Sequence, residues 1–426
     1  MAFRSIIIVF IVLYSKIGAA QVYSDIKTQH RFAQTYVGLN TQAIPTSGRL
    51  FLQNQEYKFP QQLIPRFTIG GMHFWGKLDF NMNIPLTSFG NNSITQEAGI
   101  EFSSGPDLSA RYYPWRLLDG KVQPFFGASF NTMSLTLERK EHGERFEGFI
   151  TYSALVGLSY SINDWRINAE WMFLPGNERD FYSNTQDKHR FELPNSYFSI
   201  GLVRHFDFTL KEEAPKQSGR TEGLEKKLLE EKKLNSFSIG FAPNGSYFLR
   251  SPHFSHGLQS LAQHKGSINL EYSLGYLFHK QKLHFGLTYR AYSSHALSYE
   301  LHHIVRRSAI SLEGFKFMAN YHGFVPFIGL SLSAERWATG LFVNDVQQGE
   351  TVRSQIFSPG IIFGWDILAS PIESWVLRTN LRYYPFQEIH DINGQRSRVD
   401  QFEFNFIQLV FYPNRWRNIR RAKKAF

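Results

Sequence analysis

The sequence predicts an all-β transmembrane protein: an antiparallel up-and-down β-barrel made of two eight-stranded units in tandem. Three observations carry this reading. Apolar and polar residues alternate with a period of two over segment after segment, as successive side chains of a strand leave opposite faces. The polar face is rich in Gly, Ser and Asn with charges of both signs placed mid-strand, the composition of a narrow enclosed lumen. Aromatic residues make up 16% of the chain, with 40 Phe and 20 Tyr, yet mean hydropathy is −0.30. Such a chain offers every second residue to lipid and never concentrates its apolar surface.

Residues 1–20, "MAFRSIIIVFIVLYSKIGAA", have Arg4 in a short basic region, an apolar run from Ile6 to Tyr14, and Gly18, Ala19 and Ala20 before Gln21. This is the layout of a cleavable export signal. The run is too short to cross a bilayer comfortably as a helix. There is no cysteine, which excludes a disulfide framework, a lipid-modified N-terminal cysteine and a thiolate zinc site.

Residues 21–210 form the first unit, with strands expected at 34–43, 65–74, 77–86, 97–115, 122–138, 147–162, 164–175 and 195–209. In "WRINAEWMF", Trp165, Ile167, Ala169, Trp171 and Phe173 oppose Arg166, Asn168, Glu170 and Met172. In "KLDFNMNIPL", Leu78, Phe80, Met82, Ile84 and Leu86 oppose Lys77, Asp79, Asn81 and Asn83. Between Ile100 and Pro114 the alternation runs on through Gly105-Pro106, so one long strand is expected, with Glu101, Asp107 and Arg111 on its polar face. Connections alternate in length: 75–76, 116–121 and 162–164 are short, whereas 44–64, 87–96, 139–146 and 176–194 are longer and polar. Short turns on one side and long loops on the other mark a membrane barrel, the short turns being periplasmic.

Residues 211–235 are dense in both signs of charge, with Leu224 and Leu228 four residues apart, and read as a charged periplasmic linker holding a short helix. The second unit, 236–412, has strands expected at 236–243, 267–278, 282–293, 306–320, 323–336, 352–367, 373–384 and 400–412. Pro124, Phe125, Gly127 and Ser129 of "QPFFGASF" are answered by Pro326, Phe327, Gly329 and Ser331 of "VPFIGLSL". The order of the matches, about two hundred residues apart, reads as an internal duplication. Two small barrels predict that 195–209 pairs with 34–43 and 400–412 with 236–243; the alternative, one sixteen-stranded barrel, pairs 195–209 with 236–243.

The signal segment, the eight-strand unit with long loops, "ARYYPW" followed by a turn and "VQPFFGASF", and the final strand "QFEFNFIQLVFY" together resemble the OmpA-like family of eight-stranded outer-membrane barrels, once per half. The resemblance implies an outer-membrane location in a Gram-negative bacterium. One departure is a basic C-terminal tail, 413–426, that displaces Phe426 from the last strand.

The residues able to carry chemistry are few. Asp79, Glu101, Asp107, Arg111, Arg166 and Glu170 in the first unit, and Glu271, Lys282, Arg290, Glu313, Glu335 and Arg378 in the second, face the expected lumen. Buried charges must be paired, so these form a structural charge network that plugs a small barrel. His253, His256, His264, His295, His302 and His303 fall in expected outer loops without rigid metal-ligand spacing. Neither a catalytic group nor a cofactor or metal site is expected, and nothing has a nucleic-acid signature. The net charge of +10 is concentrated in the tail, where anionic lipid headgroups are the nearer partner. The expected partners are outer-membrane lipid, the barrel-assembly machinery during biogenesis, and a periplasmic or extracellular protein met through the loops. The function expected is therefore non-enzymatic, structural or partner-binding. The alternatives are a passive porin-like channel and, third, a barrel enzyme acting on lipid or peptide.

Overall fold

The computed structural model describes residues 33–424 except 45–47, 53–54, 59–60, 74–75, 87–90, 94–97, 116, 140–142, 177, 183–186, 208–214, 250–260, 262–263, 265, 321–323, 368–372 and 391–395. The export segment, His253, His256 and Phe426 lie outside the described residues. The first half holds β1 (Ala33–Ile44), β2 (Arg49–Leu52), β3 (Gln55–Lys58), β4 (Gln62–His73), β5 (Leu78–Pro85), β6 (Asn91–Ser93), β7 (Ala98–Tyr112), β8 (Val122–Arg139), β9 (Gly143–Ile162), β10 (Trp165–Phe173), β11 (Glu178–Tyr182), β12 (Lys188–Glu192) and β13 (Ser196–Asp207). Helix α1 (Pro215–Glu230) follows. The second half holds β14 (Ser236–Phe248), β15 (Gly266–Phe278), β16 (Leu283–Ser298), β17 (Leu301–Phe317), β18 (Phe324–Val343), β19 (Val346–Ile367), β20 (Trp375–His390) and β21 (Arg396–Phe411), then helix α2 (Pro413–Lys424).

Two closures decide the architecture. Strand β13 pairs antiparallel with β1, from Gln34↔Asp207 to Ala43↔Phe198, and its other edge is taken by β10. Strand β21 pairs with β14, from Ile239↔Phe411 to Phe248↔Gln401, while the other edge of β14 is taken by β15. Each half therefore closes on itself: β1, β4, β5, β7, β8, β9, β10 and β13 make one eight-stranded barrel and β14 to β21 another. Closure gives every strand two partners and removes the unpaired edge that lipid would not tolerate.

Alternation sets what each wall shows. On β10, Trp171 is 60% exposed while Arg166 and Glu170 are buried. On β15, Ile268, Leu270, Tyr272 and Leu274 are exposed and Glu271 is buried. The apolar face points out and the polar face in. The repeated Pro-Phe-x-Gly-x-Ser segments both open the fifth strand of their barrel, β8 and β18. A side chain at Gly127 would run into the backbone carbonyl of Ala110, and one at Gly329 into that of Gly314. Glycine is needed at that step because the neighbouring strand passes too close for a Cβ.

The strands of the second barrel run further toward the loop end than alternation suggests. Strands β18 and β19 meet at a two-residue turn, Asn344-Asp345, where both residues have positive φ, the backbone such tight hairpins require. His295, His302 and His303 thus lie on strands β16 and β17 rather than in a loop. In the first barrel, the segments 44–64 and 176–194 are not plain loops: β11, β12, β2 and β3 form a separate four-stranded sheet. Their period-two signal is too short to separate from loop sequence.

The barrels touch at both ends. At the loop end Leu297↔Phe146 and Ser298↔Arg145 pair β16 with β9, the Tyr299 amide donates to the Glu144 carbonyl, and the Tyr299 hydroxyl donates to the Tyr182 carbonyl at 3.0 Å. At the turn end the His73 ring packs against Phe324 and Trp365.

Candidate functional site: two filled lumens and their rims

In the first barrel the centre is a closed set of ion pairs. Arg166 reaches Asp79 at 2.7 Å and Arg111 reaches the same carboxylate at 3.3 Å. The far side of Arg111 grips Glu170 at 2.8 Å, and Ser199 donates to Glu170 at 2.8 Å. Tyr36 donates to Asp79. A second group pairs Arg66 with Asp107, with Asn83 donating to Asp107 at 2.7 Å and Arg66 donating to Ser104 at 2.7 Å. All of these groups are buried. Toward the loop end the lumen turns apolar. Phe102, Leu135, Leu137 and Phe149 from the wall pack with Leu50, Phe181 and Phe191 of the small sheet, and Tyr299 of the second barrel joins them.

In the second barrel Arg382 is held between two carboxylates: it donates to Glu271 at 2.7 and 3.0 Å and to Glu313 at 2.6 and 3.1 Å. Arg290 reaches Glu403 at 3.0 Å and Glu313 at 3.4 Å. Arg307 bridges Glu335 at 2.6 Å and Glu403 at 2.5 Å. Nearer the turn end, Arg378 pairs with Asp366 through two bonds of 2.6 and 2.9 Å. An eight-stranded barrel has an interior just wide enough for side chains to fill, and these side chains fill it.

Ten of the twelve charged residues picked from the sequence lie in these networks, and two do not. Glu101 faces away from the lumen. The register of β7 on β8 slips between Ser104↔Met133 and Asp107↔Asn131, so Gly105 and Pro106 together stand opposite Thr132, whose hydroxyl donates to the Pro106 carbonyl at 2.6 Å. The strand is continuous, but this bulge flips its parity: Phe102 and Ser104 point inward above it, Asp107 and Arg111 below it. Lys282 is exposed, in the turn before β16 with φ of 55°, so it belongs to the turn and not to the wall. The residues missed are Arg66, Arg307, Arg382, Glu403, Asp366 and Tyr36. Arg307 shares parity with Ala309, Ser311 and Glu313, a signal that was legible in "RRSAISLEG".

The rims are also built. At the turn end of the second barrel, Leu224, Leu228 and Leu234 bury against one another with Ile419 of α2 beside them. The buried Arg415 donates to Ser236 at 3.2 Å and to the Leu234 carbonyl at 3.5 Å. The charged linker and the basic tail are therefore helices docked on the barrel and not only solvated chain. At the loop end, buried His264 hydrogen-bonds Ser294 and His303, each at 2.9 Å, while His295 and His302 stack on the outer face, 3.0 Å apart. Burial, then the neighbouring His303, holds the His264 imidazole well below its ordinary pKa. Among the described residues no group of three or more His, Cys, Asp or Glu is placed to hold a metal ion.

No family model matches the chain, and no curated protein matches it. Among solved structures, Neisserial surface protein A aligns over 42% of this chain and 97% of its own, at 16% identity and a TM-score of 0.29. The attachment invasion locus protein Ail of Yersinia pestis also covers 42% of this chain and 97% of its own, at 12% identity and a TM-score of 0.26. Both are eight-stranded outer-membrane barrels of the OmpA-like type. The CymD monoaromatic hydrocarbon channel aligns over 91% of this chain and 89% of its own, at 8% identity and a TM-score of 0.20.

Proposed function

We propose that this chain is a non-catalytic integral protein of the outer membrane of a Gram-negative bacterium that works through its exterior, its loop-end rim and side walls, while both lumens are closed. The observation that carries this reading is the buried charge network across each barrel, with Arg382 held by Glu271 and Glu313 in one and Arg111 by Asp79 and Glu170 in the other. A water channel would leave such charges hydrated and spaced along its wall, whereas these are desolvated and paired with one another. In the first barrel the links 74–77, 113–121 and 163–164 are short and 45–61, 86–97 and 174–195 are longer. Membrane barrels carry short turns on the periplasmic side and long loops outside, so α1 and α2, at the short-turn end, belong in the periplasm and the Asn344-Asp345 hairpin, at the opposite end, outside.

Two measurements test this. The purified full chain in a planar bilayer should show no steady conductance, and a stable porin-like current would refute closed lumens. A protease-cleavable tag inserted at Asn344-Asp345 should be cut on intact cells and one inserted within 208–214 should not. The reverse pattern would overturn the orientation.

A further inference from the structure

The outer wall of the second barrel carries a charged feature that neither lumen uses. Arg306 on β17, Arg336 on β18 and Arg353 on β19 all point outward and are exposed. The register places Arg306 opposite Ala338, Ser308 opposite Arg336, Ala338 opposite Arg353 and Arg336 opposite Gln355. Each arginine is thus the diagonal neighbour of the next, about 7 Å apart along the wall. Among the described residues none of the three has a carboxylate partner; the titratable group facing Arg306 is His295, with His302 stacked on it. Like charges on adjacent strands repel, and an anion bound among the three would offset that repulsion.

The surface around them is hollowed. The small residues Ser308 and Ala338 lie between the arginines and Ala291 and Ser293 beside Arg306, leaving an open groove of about 690 Å³. The groove sits on the loop-end edge of the apolar belt. Two or three outward positions further down each strand the wall becomes Ile310 and Leu312 on β17, Leu330 and Leu332 on β18, and Phe357 on β19, the last 79% exposed. A soluble anion would gain nothing from that belt. A lipid whose phosphates meet the arginines and whose acyl chains lie along Ile310, Leu312, Leu330 and Leu332 satisfies both halves at once.

We infer that Arg306, Arg336 and Arg353 form a binding site for the phosphorylated sugar headgroup of an outer-leaflet glycolipid, its acyl chains lying on the apolar wall below. Guanidinium groups suit this because each can bind a phosphate through two parallel hydrogen bonds. The inference rests on the outer-membrane reading for its ligand. Its test does not rest on lumen closure or orientation, so the two can fail separately.

The experiment uses the full chain in detergent and hexa-acylated lipid A, with binding read by native mass spectrometry and thermophoresis. Bisphosphorylated lipid A should bind, and its phosphatase-treated form should bind about tenfold more weakly. The triple variant Arg306→Gln/Arg336→Gln/Arg353→Gln should show the same loss, while Arg306→Lys/Arg336→Lys/Arg353→Lys keeps part of the affinity. Heat-modifiable migration confirms that each variant is folded. Equal binding by the phosphate-free lipid, or by the triple Gln variant, overturns the site. Full displacement by millimolar inorganic phosphate would make it a soluble-anion site and overturn the lipid assignment.

Discussion

Replacing Arg382 with methionine removes the charge that holds the second lumen together and keeps an unbranched apolar stem. Glu271 then loses both of its bonds to Arg382 and keeps only Asn405 at 3.1 Å and Gln408 at 3.2 Å. Glu313 keeps Arg290 at 3.4 Å. Breaking a buried pair by deleting one partner costs about 3–5 kcal/mol, because the remaining charge stays buried. Since Glu313 retains a cation, the loss is set mainly by Glu271, and Arg382→Met should cost about 4 kcal/mol. Adding Glu271→Gln removes the orphan charge and should recover about 2 kcal/mol of that, a coupling expected of residues in one network. Arg382→Lys should fall between, since an ammonium cannot bind two carboxylates bidentately. The assay is urea unfolding of the purified full chain in micelles, read by electrophoretic shift. In a water-filled lumen the same pair would be screened and worth about 0–1 kcal/mol. A loss below about 1 kcal/mol, with nothing recovered by Glu271→Gln, would therefore refute the filled lumen.

Closure of the first barrel can be read chemically because the chain has no cysteine: Leu39→Cys/Leu202→Cys, directly opposite across β1 and β13, should cross-link under mild oxidation, whereas Leu202→Cys/Ile239→Cys should stay reduced, and the opposite result would favour a single sixteen-stranded barrel. Tyr299→Ala, which empties a place in the apolar core of the first barrel and removes the bond to Tyr182, should cost about 3 kcal/mol, seen as faster amide exchange at Glu144 and Arg145. Because the His264 imidazole is held neutral in the fold and takes a proton near pH 6.5 when released, its contact should stabilise the loop end fully above that pH and weaken as pH falls below it. Amide exchange at Ser294 and His303 should therefore rise between pH 7 and pH 5, and His264→Gln should flatten the dependence.

What the sequence makes legible is which face of a strand is wet. Trp165 to Phe173 alternates without interruption, and the wall it builds follows that alternation residue by residue. Alternation fades where a strand leaves the membrane and both faces meet water. That is why alternation places the start of this strand at 352, whereas β19 begins at Val346, with Gln347, Gln348 and Gly349 exposed on both sides. The bulge at Gly105-Pro106 is invisible for a different reason: it changes the parity of Glu101 without breaking the chain's extended course, and it is written in the pairing with Thr132 rather than in the strand itself.

The charge networks mark the sharpest limit of a one-strand reading. Arg382 and Glu271 are 111 residues apart, and Arg111 and Glu170 are 59 apart; in each case the partners lie on strands that are not neighbours in the wall. Such a contact exists only because a closed ring of eight strands brings opposite walls within reach of two side chains. Had β13 paired with β14 to make one ring of sixteen, the walls facing these residues would stand too far apart for direct pairing, and the same charges would line water. Closure by β1–β13 and β14–β21 thus turns a set of mid-strand charges into two plugs. With the interiors closed by their own ion pairs, the charged groups that still face outward include the three arginines above the apolar belt.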